Sequence, residues 1–349
     1  MVNAHTPLME TLTDLCRLPG VSGWEDAVRR FIAAQACPWA DRMETDTMGN
    51  LMVFRKGRTA GKTLMLCAHM DEVGVIVTGI TGDGYLKFDF VGGVDRRVVI
   101  GKSVYLGEKA IPGVIGIKAH HLSKGEGQKS VPAVTDLCID IGTDTREQAE
   151  AMVSLGTVGT FAPDSAVFGH GLFQSKAIDD RLGCAVLLEL LKDQPACDTW
   201  FVFTVQEEVG TRGASTVAWH VRPDAALIVE GTTAADLPGV PAHKTICKVG
   251  SGAVLPFMDR GTLYDRRMRA MLVELAQQNA IPWQTKEMIA GGTDASAIQR
   301  SLGGIPVAGV AAPLRNIHSP ASIGALSDFE AVYRIAGLFM EEFAKEKEI

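Results

Sequence analysis

The sequence has seven cysteines but no C-x-x-C pair. Cys16, Cys37, Cys67, Cys138, Cys184, Cys197 and Cys247 are scattered and odd in number, most of them in apolar surroundings. That argues against a thiolate zinc site and for a reducing compartment, where buried thiols serve as small hydrophobes. There is no basic excess. The formal net charge of -7 gives no electrostatic footprint for nucleic acid. No apolar run is long enough to cross a bilayer, and the first residues show no basic stretch leading into an apolar core. No membrane partner is expected, and the expected location is cytoplasmic. Repeats and low-complexity segments are also missing. What remains is 349 residues, 46% hydrophobic and 21% charged, which suits two domains or one large domain with an insertion.

What the chain does have is a change of texture. Residues 8–17 and 24–35 carry helical periodicity. Pro19-Gly20-Val21-Ser22-Gly23 breaks it, and Ser22 or Gly23 is expected to start the second helix. Strands are expected at 51–55 and 63–68, the latter ending at His69. From Asp71 to Pro163 glycine and valine dominate, and short apolar runs are broken by turns such as Gly82-Asp83-Gly84 and Gly92-Gly93. This predicts a small all-β domain with one helical piece at 145–155 and a polar exposed loop at 120–130. Beyond Pro163, strands at 199–205, 225–229 and 305–311 alternate with helices at 180–192, 212–219, 262–279, 294–301 and 326–345. The expected fold class is α/β, a mostly parallel sheet with helices on both faces. Residues 1–70 and 164–349 would form that catalytic domain, and 71–163 the inserted β-rich domain.

Polar residues collect where the expected strands end. His69 closes one, Glu207 and Glu208 follow another, and Glu230 closes a third. Open α/β sheets bind ligands outside the carboxyl ends of their strands, so separated segments would deliver these groups to one rim. In His69-Met70-Asp71, the carboxylate is placed to accept the second N–H of a metal-bound imidazole or to orient a neighbour. Adjacent side chains on an extended segment point opposite ways, so one of Glu207 and Glu208 can bind a metal while the other faces a substrate as a base. The plainer alternative is a solvated turn before Gly210. In Ala177-Ile178-Asp179-Asp180-Arg181-Leu182-Gly183 the acidic pair opens an apolar helix, and its plain reading is an N-terminal cap. A carboxylate closing a buried strand, as at Glu230, must be paired, metal-bound or protonated. His318 falls in a loop, Arg315-Asn316-Ile317-His318-Ser319-Pro320. His5, His120, His121, His170, His220 and His243 lack such company. Two imidazoles and several carboxylates suffice for two metal ions with a base beside them.

The ordered set Ala68-His69-Met70-Asp71-Glu72-Val73-Gly74, Lys176-Ala177-Ile178-Asp179-Asp180-Arg181-Leu182-Gly183, Val205-Gln206-Glu207-Glu208-Val209-Gly210, Gly291-Gly292-Thr293-Asp294-Ala295 and His318-Ser319-Pro320 resembles the TET-type metalloaminopeptidases. These are also called glutamyl or deblocking aminopeptidases, and some members carry the label endoglucanase. The resemblance runs nearly end to end, from Ser22-Gly23-Trp24-Glu25 to the last helix.

It implies an α/β catalytic domain with a bridged pair of divalent ions, usually zinc, with cobalt as the other choice. On that basis Asp179 bridges both ions, His69 and Glu230 complete one site, Glu208 and His318 complete the other, and Glu207 is the general base. Asp71 joins Glu207 as a catalytic candidate. Family members often carry Asp where Glu230 stands, so that site departs by one methylene. Three carboxylate ligands and two divalent ions leave one positive charge, which a bridging hydroxide would neutralise. The implied activity is removal of N-terminal residues from short peptides. The implied assembly is a homo-oligomer in which the inserted domain pairs subunits into dimers and dimers build a dodecamer. Three other functions stay open: a related deacylase or amidohydrolase, an endoglucanase-type glycosidase using two carboxylates, and an inactive assembly protein. Glycoside hydrolysis has no need of the paired histidines. An inactive relative would be expected to lose a ligand or the base.

Overall fold

The computed structural model describes residues 6–119, 121 and 131–346. Except for His121, the expected polar loop at 120–130 lies outside the described residues. Helix α1 (Thr6–Arg17) buries Leu8, Leu12, Leu15 and Cys16, and α2 (Asp26–Ala36) buries Val28, Ile32 and Ala36, each at one-turn spacing. Glu25 holds the N-cap position of α2. Ser22, expected there, instead donates its hydroxyl to Asp71 at 2.7 Å. Strand β1 (Arg42–Thr45) is mostly exposed and shows no apolar alternation, which is why its sequence gave no strand signal. Strands β2 (Leu51–Arg55) and β3 (Thr63–His69) follow.

The chain then enters six antiparallel strands: β4 (Gly74–Ile80), β5 (Leu86–Val91), β6 (Ser103–Leu106), β7 (Ile111–Ile117), β8 (Leu137–Asp140) and β9 (Val158–Phe161). They close as a barrel in the order β4-β5-β8-β7-β6-β9. Alternate residues point inward, among them Val75 and Val77, Leu86 and Phe88, and Val104 and Leu106. Closure leaves no open sheet edge. Helix α3 (Arg146–Glu150) is shorter than the expected 145–155, with the Thr145 hydroxyl accepting the Gln148 N–H at its start.

After the hairpin β10 (Ala166–Phe168) and β11 (Leu172–Ser175) come α4 (Ile178–Leu190), β12 (Asp198–Thr204), α5 (Ala214–Val221) and β13 (Ala225–Thr233). The chain ends with β14 (Ala253–Val254), α6 (Arg266–Gln278), β15 (Trp283–Gln284), α7 (Ala295–Gln299), β16 (Val307–Leu314), β17 (Ser322–Ala325) and α8 (Leu326–Glu342). Strand β13 runs on to Thr233, so Glu230 lies within it, paired with Ala311, and does not close it.

The eight-stranded sheet is mixed, in the order β1-β2-β12-β3-β13-β16-β14-β15. Strands β12, β3, β13 and β16 are mutually parallel, while β2 and β14 join them antiparallel on either side. Leu64, Leu66, Phe201, Phe203, Leu227 and Val229 pack against α1, α2, α4, α6 and α8 on one face. Met65, Cys67, Trp200, Val202 and Ile228 pack against α5 and α7 on the other. Strands buried on both faces explain the continuous apolar runs of β3, β12 and β13. Helix α4 has every residue buried. Shortening Leu187 to alanine at its centre would cost about 2–5 kcal/mol. No described helix is long and apolar enough to cross a membrane.

Candidate metal centre

Because β12, β3 and β13 run parallel, their carboxyl ends open on one rim. Thr204 pairs opposite His69, so the segment after β12 leaves the sheet beside the imidazole. Gln206, at a φ of 57°, turns that segment across the rim. Two carboxylates suspend it. Glu25 accepts the Gln206 N–H at 3.1 Å, and Asp71 accepts the N–H groups of Glu207 and Glu208 at 2.9 and 3.1 Å. Asp71 is fully buried, and Ser22 and His69 crowd the same carboxylate. Burial pushes Asp71 up, but the donors around it, His69 first, hold it below the usual carboxylate range.

The acidic pair at the head of α4 divides its labour. Asp180 Oδ1 accepts the Gly183 N–H at 2.9 Å, the cap expected of such a pair, and its Oδ2 accepts the His69 N–H at 3.3 Å. A Cβ at Gly183 would clash with that carboxylate. Both residues have non-helical backbone angles, and the peptide bond between them is cis. The Asp179 carboxylate faces the rim, toward His69 and His318. Behind the pair, Glu72 accepts Lys176 Nζ at 2.7 Å and lies 3.4 Å from Arg181, while Arg181 reaches the Leu15 carbonyl at 2.7 Å. This buried network ties the segment before α4 to α1 and to the start of the barrel.

His69 Nε2 lies 3.1 Å from Glu230 Oε1 and 3.5 Å from Asp179 Oδ1. His318 Nε2 lies 3.3 Å from Glu208 Oε2 and 3.5 Å from Asp179 Oδ2. The two oxygens of Asp179 therefore face one histidine each. On the far side of each ring, Nδ1 is 3.1 Å from a carbonyl, that of Asp71 for His69 and that of Gly93 for His318. With Nδ1 donating there, the Nε2 lone pairs of neutral imidazoles point at carboxylate oxygens. Buried His69 Nε2 and Asp179 Oδ1 have no hydrogen-bond partner. Such atoms are costly to leave unmet, and converging lone pairs call for a cation. Ligand atoms of His69, Asp179 and Glu208, and those of His69, Asp180 and Glu230, each lie within 4.8 Å of one another. Asp180 is committed to two backbone amides, so Asp179 is the member of the pair with free oxygens.

Without cations the cluster meets its charge with protons. Burial first, then neighbouring carboxylates, pushes Glu208 up to about 7 and Glu230 up to about 8. Glu207 and Asp180 are also raised well above the ordinary range, burial again leading. Burial opposes charge on His318, but Asp179 and Glu208 outweigh it and bring the imidazole to about 9. The same contest on His69, with Asp179, Asp71 and Glu230 against burial, leaves it well above its usual value.

The structure thus brings His69, Asp179, Glu207, Glu208, Glu230 and His318 to one rim, with Asp71 buried directly behind His69 and the two glutamates. Sequence reasoning gave no role to Asp294, which is buried with Oδ1 unpartnered and its other oxygen bonded to the Thr204 hydroxyl. It also passed over Lys286 and Tyr264, which line a narrow cleft on the Glu230 side of the cluster. A second narrow cleft lies on the His318 side between Val73, Phe161 and Ser319. The Gly-Gly-Thr-Asp motif was a signal for Asp294. Lys286 had none, because β15 before it is two residues long.

Imidazoles and carboxylates converging on the carboxyl rim of an α/β sheet define a candidate binuclear metal centre. The profile of the M42 glutamyl aminopeptidase family matches residues 49–335, and the chain belongs to that family. A putative aminopeptidase of Acetivibrio thermocellus is 38% identical over 94% of this chain and 97% of its own length. The lysyl aminopeptidase of Pyrococcus furiosus is 29% identical, covering 95% and 96%, and the glutamyl aminopeptidase of Lactococcus lactis is 31% identical, covering 92% of each. Among solved structures, an aminopeptidase of the archaeon Desulfurococcus kamchatkensis superposes with a TM-score of 0.91 at 33% identity, covering 96% and 94%. The Pyrococcus horikoshii TET1 peptidase, which assembles into a tetrahedron or a large octahedral shell, does so at 0.85 and 32%, covering 96% and 99%.

Proposed function

We propose that this chain is a metal-dependent aminopeptidase that removes N-terminal residues from short peptides. The observation that carries the metal dependence is the pair of buried, partnerless atoms, His69 Nε2 and Asp179 Oδ1, inside a ring of carboxylates. His69 and Glu230 would hold one divalent ion, Glu208 and His318 the other, and Asp179 would serve both. Zinc suits this imidazole and carboxylate set, and cobalt is the alternative. When bound, the ions would supply Lewis acidity toward a carbonyl and acidify a water near neutral pH.

The chain's own residues do the rest. Glu207 is the general base. Its carboxylate is raised by burial, which suits it to take a proton and return it to the departing amine. Its neighbour Glu208 points to the metal side. Asp71, fully buried beneath the rim cluster, acts as a positioning group for His69 and for the backbone of both glutamates. The barrel region and its flanks, residues 71–163, would be the dimerisation domain inserted into a catalytic domain of 1–70 and 164–349. The assembly would be a dodecamer, in line with the shells named for relatives. Seven free thiols, five of them buried, support a reducing, cytoplasmic setting. No observation favours a deacylase, a glycosidase or an inactive assembly protein.

The test is a panel of aminoacyl-anilides before and after prolonged chelation. Activity should vanish and return with zinc or cobalt. Full activity in verified metal-free protein would overturn the reading. Light scattering of the loaded protein tests the assembly separately. A monomeric mass with normal activity would remove the dodecamer and leave the chemistry standing.

A further inference from the structure

Strand β13 carries Glu230, and β16 leads into the loop of His318. The two strands end side by side, with Thr233 paired opposite Leu314. Just beyond those ends, Asp236 and Arg315 meet. Arg315 Nε donates to Asp236 Oδ1 and its Nη2 to Oδ2, each at 2.7 Å. A guanidinium that grips a carboxylate with both prongs fixes direction as well as distance. The Asp236 side chain is 7% exposed and that of Arg315 25%, so water screens the pair less than it would a surface pair. Asp236 Oδ2 also accepts the Val249 N–H at 3.1 Å, which anchors the carboxylate in turn. Burial pushes the Asp236 carboxyl up, but Arg315 outweighs it and holds the group below the ordinary range. The chemistry proposed above uses neither residue.

The loop that Arg315 opens has to be held in place. Arg315 and Ile323 exchange both backbone hydrogen bonds, at 2.9 and 3.0 Å, so residues 316–322 project as a closed loop. Within it Asn316 and His318 stand in the left-handed region, at φ of 54° and 57°. Residues other than glycine occupy that region at a cost and stay there only where their surroundings fix the chain. The Asn316 carbonyl accepts the hydroxyls of Ser319 at 2.6 Å and Ser322 at 3.1 Å. Those bonds set the shape of the loop, not its place against β13. On the barrel side the His318 ring meets the Gly93 carbonyl. On the β13 side the first residue of the loop is tied through Asp236.

We propose that Asp236 and Arg315 are positioning residues for the second cation: their ion pair fixes the His318 loop against the strand of Glu230, and so sets how tightly Glu208 and His318 hold their metal. The inference rests on the two-cation reading. The first site should feel little of it, because His69 and Glu230 stand on strands inside the sheet.

The experiment is calorimetric titration of metal-free protein with zinc, for the wild type, Asp236→Asn, Arg315→Gln, the double variant and Arg315→Lys. The wild type should bind two equivalents. Each neutral substitution should weaken one equivalent by about tenfold or more and leave the other as it was. The double variant should cost little more than either single one, because the two side chains act as a unit. Arg315→Lys keeps the charge but loses the fork, and should fall between the wild type and Arg315→Gln. Turnover of an aminoacyl-anilide against free zinc gives a second readout. In Arg315→Gln the half-activating zinc concentration should rise about tenfold, while kcat at saturating zinc stays near the wild-type value. Wild-type affinity for both equivalents in the neutral variants, equal weakening of both, or a loss of kcat that zinc does not restore would overturn the assignment and leave the two-cation centre standing. Should the neutral variants fail to fold, Arg315→Lys decides alone: one equivalent weakened supports the assignment, and none weakened overturns it. A wild type that binds fewer than two equivalents would remove the centre itself and this inference with it.

Discussion

The two halves of the rim cluster are built on opposite plans. His69 stands at the end of a central strand, its side chain 1% exposed, with its ring nitrogen beside Asp71, which is itself buried and held by three further donors. His318 stands in a loop beyond β16, its side chain 36% exposed, and its ring is steadied by one carbonyl, that of Gly93 in the barrel region. One half is made by the sheet and sealed in the core. The other is made where a surface loop meets the barrel region. A preorganised first half with its surroundings locked should hold a cation more tightly than a half whose imidazole is partly exposed and braced behind by a single carbonyl. Asp179, with one oxygen toward each, ties the unequal halves together.

The largest break in this comparison should come from the shared residue. Asp179→Asn should empty both positions at once and lower activity by about a thousandfold or more. Elemental analysis after dialysis reads this directly, and retention of two metals per chain would show that Asp179 is not shared. Next is the group the comparison assigns to neither half. Glu207→Gln should keep both metals while activity falls by roughly a hundredfold or more, measured as kcat at saturating substrate. Normal turnover would mean the base is elsewhere.

A smaller effect separates the halves. His318→Ala should weaken one metal equivalent by about ten- to a hundredfold and leave the other in place. His69→Ala, which strips the sealed half, should cost the tight equivalent. Calorimetric titration distinguishes them, and identical losses in the two variants would erase the asymmetry. The smallest effect is on stability against pH. In the metal-free fold Glu208 and Glu230 reach about 7 and about 8 against an ordinary 4.5. Over that window the fold keeps protons that the unfolded chain has released, so stability falls as pH rises. His318, raised to about 9 from 6.5, acts in the same direction: its contribution is full below 6.5 and lost through 9. The metal-free protein should therefore melt several degrees lower at about pH 9 than at about pH 6, with a flatter profile once loaded. A melting temperature that rises with pH in the metal-free protein would contradict these shifts.

Sequence legibility follows the same division. The sealed half was readable because β3, β12 and β13 announce themselves as apolar runs and place His69, Glu207 and Glu230 at or near their ends. The extent of β13 was misjudged, since Gly231-Thr232-Thr233 reads as a turn and becomes strand only by pairing with β16. His318 was legible as a residue in a motif, but its link to Gly93 joins positions far apart in sequence and no local pattern encodes it. The pair Asp179-Asp180 looked like a cap and is one through Asp180. The outward turn of Asp179 comes from tertiary contacts. Short elements such as β14 and β15 carry too few residues for a period to register, and Lys286 was hidden behind the second of them. The barrel's strands were visible by alternation, but their closure depends on β4 meeting β9, a pairing of the first barrel strand with the last.

The central claim is that Asp179 is shared between two cations, one toward His69 and Glu230 and one toward Glu208 and His318. Anomalous scattering at the zinc edge from crystals of the zinc-loaded protein tests it most directly. The account predicts two peaks flanking the Asp179 carboxylate, the one beside His69 at the higher occupancy. A single peak, or peaks away from Asp179, in crystals of active enzyme would contradict it.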